Sequence, residues 1–232
     1  MKFGVVVFPC SNCDAATFYL LSNILKQETV YLWHKDHDLK NCDFIILPGG
    51  FSYGDYLRSG AIARFSPLMQ EIVEFAAKGG FVFGVCNGFQ VLCEAGLVPG
   101  ALMHNTERKF LCKNVFITPV SKTALITSEI PSGKALKIPI AHGEGNYYAD
   151  EKTLKELEAN DQILFKYCDS NGAITPESNP NGSLANIAGV CNRGKNVFGM
   201  MPHPERAADV NLGNTDGLFL FNSLLSLVEG KV

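Results

Sequence analysis

The stretch FVFGVCNGFQVLCEAG, residues 81–96, decides the fold. Its first five residues are apolar and rich in β-branched and aromatic types, as in a strand covered on both faces. From residue 87 onward the pattern suits a short helix that ends at Gly96, a residue able to take the left-handed conformation of a helix terminus. Between the two lies Gly84-Val85-Cys86-Asn87-Gly88, the G-x-nucleophile-x-G arrangement of a nucleophile elbow. So sharp a strand-to-helix turn predicts strained dihedrals at Cys86, with glycines two positions away on either side to let strand and helix pass closely. The thiol then stands at the C-terminal edge of a sheet and at a helix N-terminus, where the positive end of the dipole favours the thiolate. A cysteine at a tight turn is more often structural than reactive. It is the strand, the two glycines and the helix together that argue for a nucleophile.

Outward from this point the first hundred residues alternate strand and helix. Residues 3–8, 30–33 and 44–47 read as strands. Residues 14–27 carry a helical stripe with Asp14 as its cap, and 60–78 read as a helix stopped by Gly79-Gly80. This βαβαβ rhythm predicts a flavodoxin-like α/β fold with a doubly wound, mainly parallel sheet. The second half adds strands at 115–120, 135–140, 163–167, 184–192 and 197–201. It also carries a polar helix near 150–159 and an apolar one over about 216–228; the fold expected for the whole is a mainly parallel sheet with additional antiparallel strands. The long loop signal is confined to 169–182, and neither an internal repeat nor a linker is visible. A single domain over 1–232 is expected.

Composition narrows the partners. Hydrophobic residues at 47% and charged residues at 19% place the chain among ordinary globular proteins rather than disordered ones. The net charge is −3 with no Lys/Arg block, so neither nucleic acid nor a membrane surface is an expected partner. The apolar run near the N-terminus is broken by Pro9 and is too short for a signal-peptide core. No run approaches the roughly 20 apolar residues of a membrane span. A cytoplasmic location follows as an expectation, with the eight cysteines reduced and mostly acting as small apolar fillers. Cys10-Ser11-Asn12-Cys13 has redox-motif spacing, which carries little weight by itself. No GxxxxGK[ST] loop or acidic metal cluster occurs, so no cofactor and no metal are expected in this chain.

Two further segments supply what an acyl-transfer nucleophile needs. Pro48-Gly49-Gly50-Phe51 ends the strand preceding the elbow strand, on the same sheet edge, and a glycine amide there is open to approach. The Gly50 and Asn87 N–H groups therefore form a candidate oxyanion hole. In Met201-Pro202-His203-Pro204-Glu205-Arg206 two prolines flank His203, which predicts an extended segment. Side chains at i and i+2 then project to one side, so Glu205 could orient His203 as general base. Ala141-His142-Gly143-Glu144-Gly145 offers the same His-x-Glu pairing, and the residues alone leave both bases open. His34, His37 and His104 lack a comparable setting.

The set PGG (48–50), GVCNGFQ (84–90) and HPE (203–205) resembles the class I, triad-type glutamine amidotransferases. GGFSYGDYLRSGAIARF (49–65), the 105–112 stretch, IPIAHGEGNYYAD (138–150), NPNGSLANIAGVCN (179–192) and GMMPHPERA (199–207) are similar to one branch of them. That branch is the glutaminase subunit of phosphoribosylformylglycinamidine synthase in its short, separate-subunit form. The resemblance implies Cys86 as nucleophile, His203 as general base and acid, and Glu205 as the histidine's partner. It gives the Gly50 and Asn87 amides the oxyanion role and leaves His142 a structural or interface role. Phe51, Ser52 and Gln90 are implied to line a pocket for L-glutamine. It further implies a synthetase subunit and a small third subunit as partners, with ATP and Mg²⁺ held by the synthetase. Cys10 departs from the family, which usually has glycine there. A Cys peptidase, a glyoxalase-like protein on the same elbow, or a non-catalytic binding module are the competing readings.

Overall fold

The computed structural model of the chain describes residues 1–226. In chain order its strands and helices begin with β1 (Lys2–Val7), α1 (Asp14–Tyr19), β2 (Glu28–Trp33), β3 (Phe44–Leu47) and α2 (Pro67–Ala77). Next come β4 (Phe81–Val85), α3 (Asn87–Glu94), β5 (Ala101–Met103), β6 (Leu111–Pro119), β7 (Leu136–His142) and β8 (Asn146–Tyr148). The chain continues through α4 (Glu151–Ala159), β9 (Ile163–Cys168), β10 (Ile187–Cys191), β11 (Val197–Met200) and α5 (Leu218–Leu225). Two compact units result: residues 1–98 with 196–199, and residues 99–195 with 200 onward.

The first unit holds a sheet in the order β2-β1-β3-β4-β11. β1 runs parallel to both β2 and β3, and β3 parallel to β4. Strands sandwiched on both faces need continuous apolar runs, and β3 is buried at all four positions. Ile45 and Ile46 are fully buried, worth about 1.5–3 kcal/mol each. Asn196 fastens the late-arriving β11: its backbone oxygen accepts from Val82 N at 2.9 Å, and its Nδ2 donates to Ala76 O and Gly80 O, both at 2.8 Å.

The second unit holds β10-β9-β6-β7, in which β10 with β9, β9 with β6 and β6 with β7 all pair antiparallel, and a separate antiparallel pair, β5-β8. β7 alternates buried and less buried positions, as an antiparallel strand with one covered face should. The expected class, doubly wound α/β with a mainly parallel sheet and added antiparallel strands, is what the chain adopts.

Several boundaries differ from expectation for identifiable reasons. The helix expected over 60–78 is two pieces. Ser66 has φ −63° and ψ 148° because the residue before a proline avoids the helical region, and α2 begins at Pro67, where a missing N–H costs nothing. Asp14 is the first helical residue, and Cys13 is the cap. Beyond Tyr19 that helix widens into a π turn, Leu20–Ile24. Residues 184–186 form a 3₁₀ turn before β10. The three-residue strands β5 and β8 were not anticipated, and residues 227 and 228 of the expected last helix lie outside the described residues.

Candidate active site

In the first unit the elbow forms as its sequence requires. β3 and β4 are in register with Leu47 opposite Gly84, so Pro48–Gly50 and Val85–Cys86 leave the sheet at the same edge. Cys86 caps α3 with φ 51° and ψ −106°, a region that a residue with a side chain enters only under constraint. The constraint is contact. A Cβ on Gly88 would sit 1.9 Å from Leu47 O, and one on Gly84 would sit 2.7 Å from the Gly88 carbonyl atoms, so helix and strands touch backbone to backbone. Cys86 is buried, with 4% of its surface exposed.

The Gly50 segment lies against the start of the chain. Gly50 has φ +147°, and a Cβ there would meet Asn12 N at 2.8 Å, so only glycine fits. Cys13 N donates to Gly49 O, and Phe51 N to Cys10 O, both at 3.2 Å. This leaves the Gly50 N–H without a hydrogen-bond partner among the described residues. Ser52 is buried and its N–H donates to Asn87 Oδ1 at 3.0 Å, which ties this segment to the elbow helix. Gln90 is also buried, and its Oε1 accepts from Asn87 Nδ2 at 2.9 Å. Phe51 is partly exposed. Asp55, which sequence reasoning did not single out, accepts from the same Nδ2 at 3.3 Å. Tyr53, Gly54, Asp55 and Leu57 all have left-handed φ, between 54° and 69°. For Tyr and Leu this costs about 1–2 kcal/mol each.

In the second unit His203 Nδ1 lies 2.6 Å from Glu205 Oε1, with both side chains all but inaccessible. The extended geometry expected for this pair is not the one observed. Pro204–Arg206 is a 3₁₀ turn with His203 as its cap, and the turn, rather than i, i+2 alternation, brings the carboxylate to the ring. Pro204 sits at the first helical position, where its fixed φ suits such a turn. The segment is anchored by His203 N donating to Pro139 O in β7 at 2.8 Å. Gly217, just before α5, packs so closely that a Cβ would sit 2.0 Å from Pro204 O.

The same unit separates the two His-x-Glu candidates. His142 does not engage Glu144; its Nδ1 donates to Asn105 Oδ1 at 3.1 Å, and Glu144 lies 3.5 Å from His104. Asn105 Oδ1 also accepts from Gly145 N, and its Nδ2 donates to His142 O, so one asparagine fixes the whole turn. Burial, with a smaller contribution from the positive charge of His203, pushes the His142 pKa down to about 4. An imidazole neutral at all ordinary pH, held by an amide rather than a carboxylate, is a structural group. His34 is buried against Tyr53 Oη at 2.7 Å, while His37 pairs with Glu71 at the surface.

Cys13, Cys42, Cys168 and Cys191 are buried and fit the filler role, while Cys10 and Cys112 are exposed. Burial pushes Cys42 and Cys168 up to about 11 and Cys191 to about 12, which keeps them protonated and unreactive. Cys10 and Cys13 form no disulfide. Cys10 is exposed, with φ 65°, and the Cys13 thiol donates to Asn12 Oδ1 at 3.2 Å.

A model of the CobB/CobQ-like glutamine amidotransferase domain matches residues 2–215. A phosphoribosylformylglycinamidine synthase subunit PurQ from Koribacter versatilis is 54% identical over 231 residues, covering 100% of both chains. Its counterpart from Chlorobium chlorochromatii is 57% identical over 227 residues, covering 98% of this chain and 97% of that one. Among solved structures, PurLQS from Thermotoga maritima contains a chain that superposes with a TM-score of 0.85 at 39% identity, over 98% of each.

Proposed function

The chain belongs to the CobB/CobQ-like glutamine amidotransferases, and we propose that Cys86, His203 and Glu205 act in it as a catalytic triad. It serves as the glutaminase subunit of phosphoribosylformylglycinamidine synthase, in purine biosynthesis. The observation that carries the catalytic assignment is the backbone of Cys86, held at φ 51° and ψ −106° where β4 meets α3. Strain of this kind is retained where the surrounding structure over-determines it, and here it presents a thiol at a helix N-terminus.

The reaction follows from the groups present. His203 takes the Cys86 thiol proton, and the thiolate adds to the side-chain amide carbon of glutamine. The resulting oxyanion is met by the Gly50 and Asn87 N–H groups. Collapse of this intermediate breaks the C–N bond as His203 returns the proton to the departing nitrogen, so ammonia leaves and a glutamyl thioester remains. Water, deprotonated by His203, hydrolyses the thioester; glutamate leaves and the proton returns to the thiol. Glu205 keeps one tautomer of His203 in place and stabilises the cation that forms. Phe51, Ser52 and Gln90 line the glutamine pocket. On this reading the chain is one amidotransferase domain over 1–232.

Ammonia passes to the synthetase subunit, which converts formylglycinamide ribonucleotide to formylglycinamidine ribonucleotide. ATP and Mg²⁺ belong to that partner, a small third subunit completes the complex, and the assembly is cytoplasmic. No helix among the described residues is long and apolar enough to cross a membrane. The test is Cys86→Ala in the assembled synthase. Glutamine-dependent product formation should vanish while the ammonia-dependent rate survives. Loss of both rates in a folded complex would sink the ammonia-donor role. A glutamine-analogue alkylator should add stoichiometrically to Cys86, which would set a peptidase or glyoxalase-like reading aside.

A further inference from the structure

The Asn87 side chain reaches beyond its own helix. Cys86 caps α3 without a side-chain capping bond, and Asn87, the first helical residue, also turns to groups more than thirty positions earlier in the chain. Its Oδ1 accepts the Ser52 N–H at 3.0 Å; its Nδ2 donates to Asp55 Oδ1 at 3.3 Å and to Gln90 Oε1 at 2.9 Å. Both amide hydrogens and the amide oxygen are thereby used, with the residue 2% exposed. The backbone of this residue carries one oxyanion donor in the mechanism above, and Gly50, two residues before Ser52, carries the other. One amide side chain therefore joins the two donors.

The segment it holds is closed by Gly54 N donating to Phe51 O at 2.7 Å and is anchored on both sides. Three consecutive residues, Tyr53, Gly54 and Asp55, have left-handed φ. On the far side the loop is fastened by Tyr53 N to Pro9 O at 2.9 Å and by Tyr53 Oη to His34 Nδ1 at 2.7 Å. On the elbow side Ser52 and Asp55 both reach Asn87.

We propose that the Asn87 side chain, braced by Asp55, is a positioning residue that sets the spacing of the Gly50 and Asn87 N–H groups at the nucleophile. The proposal rests on the glutaminase reading, and it assigns the Asn87 side chain and Asp55 a role in rate rather than in glutamine affinity. A misplaced donor weakens only the tetrahedral intermediate, so the loss should fall on kcat.

The experiment uses the intact synthase complex and three variants: Asn87→Ala, Asp55→Ala and Asp55→Asn. Glutamine-dependent kcat and KM, the ammonia-dependent rate and the rate of Cys86 alkylation by iodoacetamide are measured for each. Iodoacetamide reacts by direct displacement of iodide, with no oxyanion, and so reports the thiol without the hole. Asn87→Ala should lower glutamine-dependent kcat by about 10²–10³-fold, the effect of losing one oxyanion donor. KM should stay within about threefold, and alkylation and the ammonia-dependent rate should be unchanged. Asp55→Ala should lower kcat by about tenfold. Asp55→Asn, whose carbonyl can accept the same hydrogen bond, should restore it. An Asn87→Ala kcat within threefold of the parent overturns the proposal. So does alkylation that falls in step with kcat, which would mean the elbow itself had collapsed, or an Asp55→Asn enzyme as impaired as Asp55→Ala. Failure of the underlying reading is separable, since it would appear as glutamine-dependent turnover in Cys86→Ala.

Discussion

Replacing Gly88 with alanine introduces a methyl group where α3 crosses the end of β3. The new carbon would lie 1.9 Å from Leu47 O, 2.6 Å from Leu47 C and 2.9 Å from Leu47 Cβ, whereas real Cβ atoms essentially never come within 3.0 Å. Relieving the closest contact requires α3 to move by about 1.1 Å relative to β3. Leu47 is the last residue of the fully buried strand β3 and is paired with Gly84 of β4, which holds its carbonyl in place, so the helix start must give. That start carries Cys86 and Asn87, while Gly50 stays with β3. Overpacking of this size costs about 1–3 kcal/mol of stability. A shift of about 1 Å in a catalytic group costs about 10²-fold in rate. Gly88→Ala should therefore fold with a lowered denaturation midpoint and lose about 10²-fold in glutamine-dependent kcat within the synthase, with ammonia-dependent turnover intact. Stopped assays of glutamate release, run beside urea unfolding, read both effects. Parental kcat in a variant that has lost the expected stability would refute the argument, because it would show that the elbow tolerates displacement.

Further outcomes can be checked independently. Glu205→Gln leaves the size of the side chain unchanged but puts an amide where His203 Nδ1 meets a carboxylate oxygen at 2.6 Å. Glutamine-dependent kcat should fall by about 10²–10⁴-fold, and a fall below tenfold would remove Glu205 from the triad. His142 bears on acid stability. Its folded pKa of about 4 lies below the ordinary histidine value of 6.5, so between these the unfolded chain binds more protons. Stability contributed here is complete above about pH 6.5 and declines as pH falls toward 4, by up to about 3 kcal/mol. Urea midpoints across that window should flatten in His142→Gln, and an unchanged slope would show that other groups dominate. Cys10→Gly should stabilise the chain by about 0.5–1 kcal/mol, since φ 65° is costly for cysteine and free for glycine; a lowered unfolding temperature would contradict this.

What sequence could reveal depended on how local the cause was. The elbow was legible because two glycines and a cysteine within five residues specify it, and the observed φ at Cys86 is the strain that pattern demands. The break before α2 was equally local. Ser66-Pro67 carries it in the rule that the residue preceding proline avoids the helical region, a signal the apolar stripe obscured. His142 and His203 were not separable by such means. Both stand in His-x-Glu, and the difference lies in Asn105, 37 residues away from His142, and in a 3₁₀ turn that substitutes for an extended strand. The Asn87 side chain was invisible for a related reason. Its partners at Ser52 and Asp55 are distant in sequence, and the pattern identified only its backbone N–H. Three-residue strands such as β5 and β8 carry too few positions for alternation to show.

The return of residues 196–199 to the first unit has a consequence for synthesis. The ribosome releases β4 roughly 100 residues before the segment that pairs with it, a delay of about 5–20 s at about 5–20 residues per second. Through that interval one long edge of an apolar, uncharged strand, Phe81–Val85, waits without its neighbour. Such an edge is a template for unwanted pairing with other chains. The nascent polypeptide is therefore most exposed to aggregation just before Asn196 arrives, and that is the window in which a chaperone would matter most.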